Sequence, residues 1–251
     1  MPQLVLMRHG ATLWGQENKF AGWGDTPLSQ SGTEEARAAG RVLKKNGLTF
    51  DLVFTSELLR ARQTVDQIQQ EIGLSDSTIK RDWRLNERHY GALQGHSRGE
   101  MISTYGNAKV VAWRRSYDAV PPRLDEHDAR WLEQLKRLPN IPQHRQPRAE
   151  SMAMAAKRAQ AAWTDAIAPQ LQGSKSILVV AHTSSLRGLS QTILGLDDEA
   201  TEAFRIATAI PQLFMLDDNH NVLKQTDIQS GTSSRLRSWV NRMKPKRWGF
   251  A

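Results

Sequence analysis

Residues 4–7, Leu-Val-Leu-Met, are apolar without interruption and lead straight into Arg8-His9-Gly10, the pattern of a buried strand followed by a loop. After a polar stretch, Ser31 with Glu34 three residues later carries a capping-box signature, and the segment to Lys45 suits a helix stopped by Asn46-Gly47. Residues 51–55 read as a second strand and 56–72 as a second helix. Strand and helix alternating in this way predict an α/β fold: a doubly wound, mostly parallel sheet flanked by helices.

The middle of the chain loses this rhythm. Residues 82–97 (DWRLNERHYGALQGHS) show neither helical nor strand spacing, while 99–113 suit a helix. Residues 119–149 hold five prolines and read as a long excursion around one short helix. Regular patterning returns with a helix over 150–171, a strand over Ser176–Ala181 and a helix over 185–194. The runs LFML and VLKQTDI, joined by DDNHN, read as a hairpin. One domain over residues 1–232 is expected, followed at 233–251 by a basic tail that has no acidic residue.

At 251 residues the chain can bury one sizeable core. Charged residues at 24% and a mean hydropathy of -0.55 match a soluble globular protein. No run approaches the roughly 18–20 apolar residues that span a bilayer. The N-terminus lacks the basic start, apolar middle and cleavage site of a secretion signal, so the cytoplasm is the default location and no membrane partner is expected. Cysteine is absent, which removes disulfides, thiol nucleophiles and cysteine metal sites. A net charge of +8 and a pI near 10.0 point to an anionic partner: nucleic acid, a membrane surface or a small acidic metabolite. The tail alone has three readings, as a surface-draped terminus, a nucleic-acid contact or a flap over an anionic site.

Where the arginines fall narrows the choice. In parallel α/β sheets, ligands sit beyond the carboxyl ends of the strands. The strands over 4–7 and Ser176–Ala181 each deliver a histidine there, His9 and His182. Arg8 stands beside the first, and Arg60 falls in the first turns of the helix after the 51–55 strand. Such a group suits a dianionic phosphoryl ligand, because planar guanidinium forks give phosphate bidentate hydrogen bonds. Taken singly, each residue reads as well as a loop histidine or a solvated helix arginine; the grouping carries the argument.

The segments LMRHGATLW, TSELLRARQT and VVAHTSSLR resemble the histidine phosphatase superfamily, whose signature is Arg-His-Gly at the end of the first strand. WRLNERHYGALQG, WRRSYD, GWGDTPLSQSG and TAIPQLFML narrow the resemblance to the cofactor-dependent phosphoglycerate mutases, over residues 4 to about 228. The resemblance implies that His9 is a nucleophile accepting a phosphoryl group, neutral and held through its other ring nitrogen. It implies that Arg8, Arg60 and His182 surround the transferring oxygens. Glu87 becomes the general acid/base, a role for which a raised pKa beside phosphate charge is expected. Tyr90, Arg98, Arg114 and Arg115 match a clamp for the substrate's carboxylate and second phosphate, and Gly22, Thr183 and Ser184 fall at further substrate positions. The implied enzyme is an isomerase of glycolysis and gluconeogenesis, a homodimer or higher homo-oligomer. It would interconvert 3- and 2-phosphoglycerate through phosphohistidine, primed by 2,3-bisphosphoglycerate and without a metal. The clamp then accounts for part of the basic pI without nucleic acid.

At several contact positions the chain departs from that pattern. Gly15 stands where asparagine is usual, Ala21 where threonine is, Thr183 and Ser184 in place of glycine and asparagine, and Arg98 where lysine is more usual. Neutral polar contacts are worth about 0.5–1.5 kcal/mol each, so these changes bear on the substrate and leave the phosphohistidine machinery intact. The alternative expectation is therefore a divergent phosphatase hydrolysing another small phosphorylated acid.

Overall fold

In the computed structural model, which describes residues 1–173 and 175–228, β1 (Gln3–Arg8) and β4 (Ser176–Ala181) pair in parallel at the centre of a six-stranded sheet. β2 (Leu52–Thr55) pairs with the far edge of β4, and β3 (Ile79–Arg81) extends the sheet beyond β2, both in parallel. On the other side of β1, β5 (Gln212–Leu216) and β6 (Val222–Asp227) add as an antiparallel hairpin. The order is β3-β2-β4-β1-β5-β6. The expected α/β sheet with helices on both faces is present, parallel through four strands and mixed at the hairpin edge.

The central strands are unbroken apolar runs because both their faces are covered. Leu4 and Leu6 share one core with Ile177, Val179, Phe214 and Leu189, whereas Val5 and Met7 share the opposite core with Leu178, Val180, Leu43 and Ile68. The second face is covered by α2 (Gln30–Lys45) and α3 (Leu59–Ile72), which follow the single-turn α1 (Leu13–Gln16). The first is covered by α7 (Met152–Ala162) and α8 (Thr183–Leu194).

Several boundaries differ from expectation, each for a local reason. α2 is capped by Ser29 rather than Ser31: Ser29 is extended and its Oγ accepts from the Gly32 amide at 3.1 Å. Ser31 lies inside the first turn, its hydroxyl 2.9 Å from that of Ser29. Gly32 is needed there because a Cβ would strike the Ala11 carbonyl, so the loop after β1 lies directly on the start of α2. The helix expected over 99–113 is two, α4 (Arg98–Tyr105) and α5 (Asn107–Arg115), divided at Gly106 with φ +83. The helix expected to 171 leaves the α form after Ala162, through a wide turn at Trp163–Ile167 and a tight one at Ala168–Gln170, where Pro169 has no amide to donate. α8 begins at Thr183, two residues early, with His182 at its cap position. The proline-rich excursion contains α6 (Ala129–Arg137), as expected, and a further short turn at Gln143–Arg145. α1, β3 and α9 (Asp198–Ala203) had no sequence signal strong enough to stand out. The basic tail at 233–251 lies outside the described residues. Among the described residues no helix is long and apolar enough to cross a membrane.

The cap assignment has a measurable consequence. Ser29→Ala is expected to lower unfolding free energy by about 1 kcal/mol, and Ser31→Ala by less than about 0.5 kcal/mol, read from urea midpoints; the reverse order would return the cap to Ser31.

Candidate active site

The site begins with strand register. β1 and β4 run in step from Gln3↔Ser176 to Arg8↔Ala181, and the His9 amide donates to the Ala181 carbonyl at 3.1 Å. The next residue of each strand is a histidine, so His9 and His182 leave the sheet together, buried, with ring centroids 4.9 Å apart. His9 Nδ1 lies 2.7 Å from the Gly10 carbonyl oxygen, which can only accept, so Nδ1 carries the proton. Nε2 is then the basic nitrogen, and Arg60 Nε donates to it at 3.2 Å. Burial, followed by the charges of Arg60 and Arg8, pushes His9 well below the usual histidine pKa, so the ring is neutral at pH 7. His182 is driven the same way by burial, Arg60 and His9; its Nε2 lies 2.7 Å from Ser56 Oγ.

Arg60 reaches the site from the first turn of α3. Its guanidinium is buried and donates to the carbonyls of Gly24 at 3.1 Å and Gly22 at 2.8 Å. Burial lowers its pKa to about 10, with Glu87 and Asp25 opposing, so it keeps its charge at neutral pH. Gly22 holds φ +51, and a Cβ there would run into the Gln94 side chain that accepts the Trp23 amide. Its part is thus to turn its carbonyl onto Arg60.

Glu87 follows a short turn at Trp83–Leu85, in the stretch without sequence period. Its Oε1 accepts the backbone amides of Arg88 at 2.8 Å and Ser184 at 3.1 Å. Burial by itself would raise its pKa; the Ser184 and Arg88 hydrogen bonds, with the charges of Arg60 and Arg88, outweigh burial and hold it below the usual carboxylate value. The raised pKa expected from the sequence is therefore not a property of the unliganded site. That expectation counted phosphate charge and missed two amide donors, one from Ser184 in the first turn of α8.

These groups open onto a cavity of about 690 Å³. Arg8, His9, Arg60, Glu87, Gly22, Tyr90, Arg98, Arg114, Arg115, Thr183 and Ser184 all line it, as do Gly15 and Ala21. His182 alone of the expected residues stays off the wall, wholly buried beside His9. Crowding is evident at Arg114, whose pKa is lowered by burial and then by Arg98, Arg115 and Arg88, with Tyr90 opposing.

Residues 4–229 match the histidine phosphatase superfamily (branch 1). The chain belongs to this superfamily. Among curated relatives, the 2,3-bisphosphoglycerate-dependent phosphoglycerate mutase of Borrelia garinii subsp. bavariensis is 42% identical over 238 residues, covering 95% of each chain. The protein of the same name from Borreliella burgdorferi (strain ZS7) is 43% identical over 224 residues, 89% of this chain and 90% of the relative. Among solved structures, a mycobacterial glucosyl-3-phosphoglycerate phosphatase in complex with inorganic phosphate superposes with a TM-score of 0.64 at 25% identity, over 86% of this chain and 90% of that one.

The histidine phosphatase site also contains residues that sequence reasoning passed over. Arg88 and Arg187 line the cavity, as do Lys19, Arg205, Glu199 and Glu202. Arg88 donates to the Tyr90 hydroxyl at 2.8 Å and the Arg114 carbonyl at 3.0 Å, while its Nε and Nη1, like Nε of Arg8, are buried without a hydrogen-bond partner. Its one sequence signal was adjacency to Glu87. Arg187 was accessible to reasoning: four residues after Thr183 on a helix, it shares that residue's face. Among the described residues no group of His, Asp and Glu is arranged to hold a metal ion.

Three buried neutral histidines make stability depend on pH. Burial takes His89 down to about 3, and His9 and His182 are also depressed. Each unfolded histidine takes up a proton below about pH 6.5, at about 1.4 kcal/mol per pH unit per proton. Their stabilising contribution is therefore complete above pH 6.5 and is lost as pH falls toward the folded values. Urea midpoints are expected to drop steeply between pH 6.5 and 5, where carboxylates scarcely titrate; a flat profile would contradict the buried neutral state.

Proposed function

We propose that this histidine phosphatase superfamily member is a phosphoglycerate mutase interconverting 3- and 2-phosphoglycerate, primed by 2,3-bisphosphoglycerate. The observation that carries this reading is neutral His9, its Nε2 basic, on the wall of a cavity that eight arginines line. Identity of 42% over 95% of the chain to a relative named for that activity supports the choice of substrate. The residues fit a molecule with two phosphates: unpaired buried donors on Arg8 and Arg88 call for oxyanion acceptors, and the crowded Arg98, Arg114 and Arg115 call for a second anionic group. When bound, 2,3-bisphosphoglycerate supplies the phosphoryl group that primes the enzyme.

His9 Nε2 attacks phosphorus once Arg60 Nε turns from the nitrogen to a phosphoryl oxygen, forming the N–P bond as the P–O bond to the leaving oxygen breaks. Nδ1–H stays on the Gly10 carbonyl and takes up the developing ring charge. Arg8 and Arg60 stabilise charge spread over the equatorial oxygens, while His182, off the cavity wall, acts through its contact with the His9 ring. Glu87, ionised in the unliganded site, takes a proton as phosphate charge arrives beside it and gives that proton to the leaving oxygen. On the phosphohistidine enzyme it then removes the proton of the free 2-hydroxyl of 3-phosphoglycerate as the phosphoryl group passes to that oxygen. It returns the proton to O3 when His9 takes the 3-phosphoryl group of the reoriented molecule, releasing 2-phosphoglycerate and restoring phosphohistidine. Arg98, Arg114, Arg115 and Tyr90 hold the carboxylate and the remaining phosphate while the molecule reorients. Gly15, Ala21 and Ser184 on the cavity wall are smaller than the asparagine, threonine and asparagine usual there and remove polar contacts, which favours phosphatase action on another small phosphorylated acid as the second reading.

One assay separates the two. Incubated with 3-phosphoglycerate and catalytic 2,3-bisphosphoglycerate, the protein is expected to form 2-phosphoglycerate faster than inorganic phosphate, and phosphate release outrunning isomerisation would select the phosphatase reading. His9→Ala is expected to abolish acid-labile labelling and turnover, and Glu87→Gln to lower kcat by about 10²–10⁴. Arg114→Ala is expected to raise KM more than it lowers kcat, because its contact is made equally in ground and transition states.

A further inference from the structure

Behind Glu87, on the side away from the cavity, lies a buried ion pair that the proposed mechanism does not use. Arg158 on α7 donates from Nε to Glu150 Oε1 and from Nη2 to Glu150 Oε2, both at 2.9 Å, with both side chains almost wholly buried. The guanidinium has further work to do. Nη1 donates to the carbonyls of Trp83, Arg84 and Asn86 at 3.3, 2.8 and 3.1 Å, and Nη2 to that of Glu87 at 3.3 Å. Glu150 grips the other side of the same loop: its Oε2 accepts the His89 amide at 2.9 Å, and its own amide donates to the His89 carbonyl at 2.8 Å. The Arg158 guanidinium also stands over the rings of Trp23 and Trp83, and Trp23 Nε1 donates to the Glu87 carbonyl.

This arrangement solves a specific problem. Glu87 sits in a stretch with neither helix nor strand, so no ladder of backbone bonds sets where its carboxylate points. General acid/base catalysis needs the carboxyl within hydrogen-bond reach of the reacting oxygen, and a misplacement of about 1 Å costs about 10²-fold in rate. One planar guanidinium with fixed N–H directions collects four loop carbonyls, and one carboxylate fixes the residue after next. We infer that Arg158 and Glu150 are positioning residues that hold Glu87 in register with His9 across the cavity. Lysine cannot replace the arginine, because a single ammonium offers neither the bidentate pair to Glu150 nor the spread of donors to the loop. The inference rests on Glu87 acting as the acid/base in the proposed function, and its test includes a readout independent of turnover.

The test compares Arg158→Lys, Glu87→Gln and the double variant with the wild-type chain. Arg158→Lys is expected to lower kcat about 10–100-fold while the KM for phosphoglycerate and the Kd for orthovanadate, which probes the phosphoryl pocket, change less than about twofold. In the Glu87→Gln background the same substitution is expected to have no further effect on kcat. Additive losses, or weakened vanadate binding equal to the loss in kcat, would overturn the inference, as would a lowered melting temperature with kcat intact. Carbon-13 titration of the Glu87 carboxyl supplies the independent readout. Loosening the loop weakens the Ser184 and Arg88 amide bonds, so the pKa is expected to rise in Arg158→Lys, and an unmoved titration would also count against the inference. If wild-type protein isomerises no phosphoglycerate, the proposed function fails and this titration still decides the positioning. If Arg158→Lys does not fold, Glu150→Gln is measured in its place with the same expected outcomes.

Discussion

The parallel pairing of β1 with β4 carries every distance in the site. Side chains alternate between faces along a strand, so a slip of one residue would send Leu4 and Leu6 to the face that Val5 and Met7 occupy. Burial on both faces does not prevent that slip by polarity, since both cores are apolar; shape and the helices packed on each side must do so. What depends on the register is the pair of histidines. With Arg8 opposite Ala181, His9 and His182 emerge one residue past the ladder at the same height. Arg60 and Glu87 are placed relative to them.

The second constraint is electrostatic. A site for dianions needs fixed positive charge, yet charge buried without partners is costly. Backbone oxygens resolve the conflict at Arg60, whose guanidinium is held by the Gly22 and Gly24 carbonyls, while the carboxylates of Glu87 and Asp25 act on it at longer range and form no direct ion pair with it among the described residues. Arg158 has the opposite arrangement, neutralised by Glu150, and lies behind Glu87 instead of on the cavity wall. The difference in partner separates arginines available to an anion from an arginine that organises backbone. His9 benefits directly, because burial, followed by the charges of Arg60 and Arg8, keeps its ring neutral and nucleophilic.

Legibility in the sequence followed the type of structure. The 4–7 and Ser176–Ala181 strands were visible because core strands of a covered sheet are unbroken apolar runs, and the flanking helices because their faces repeat. The Glu87 loop was opaque: its conformation comes from Arg158 and Glu150, 74 and 61 residues away along the chain from the residues they hold, and from Trp23, which no local period encodes. Helix ends were displaced wherever a tertiary contact chose among local options, as at Ser29 and Ser31, where the fit of Gly32 against Ala11 decides which hydroxyl caps α2.

Residue identity alone determined the chemistry on offer: two histidines following apolar strands, arginines with forked donors, one carboxylate between them, and no thiol. Those depend on side-chain functional groups and on the strand periodicity that carries them to one rim. Protonation and reach were decided by the tertiary structure. The proton on His9 Nδ1 follows from a carbonyl 2.7 Å away. The low pKa of Glu87 follows from the Ser184 amide, and the withdrawal of His182 from the cavity wall from its complete burial. Each is set by groups brought together from distant parts of the chain, and electrostatics in a partly buried site depends on separations that no order of residues specifies.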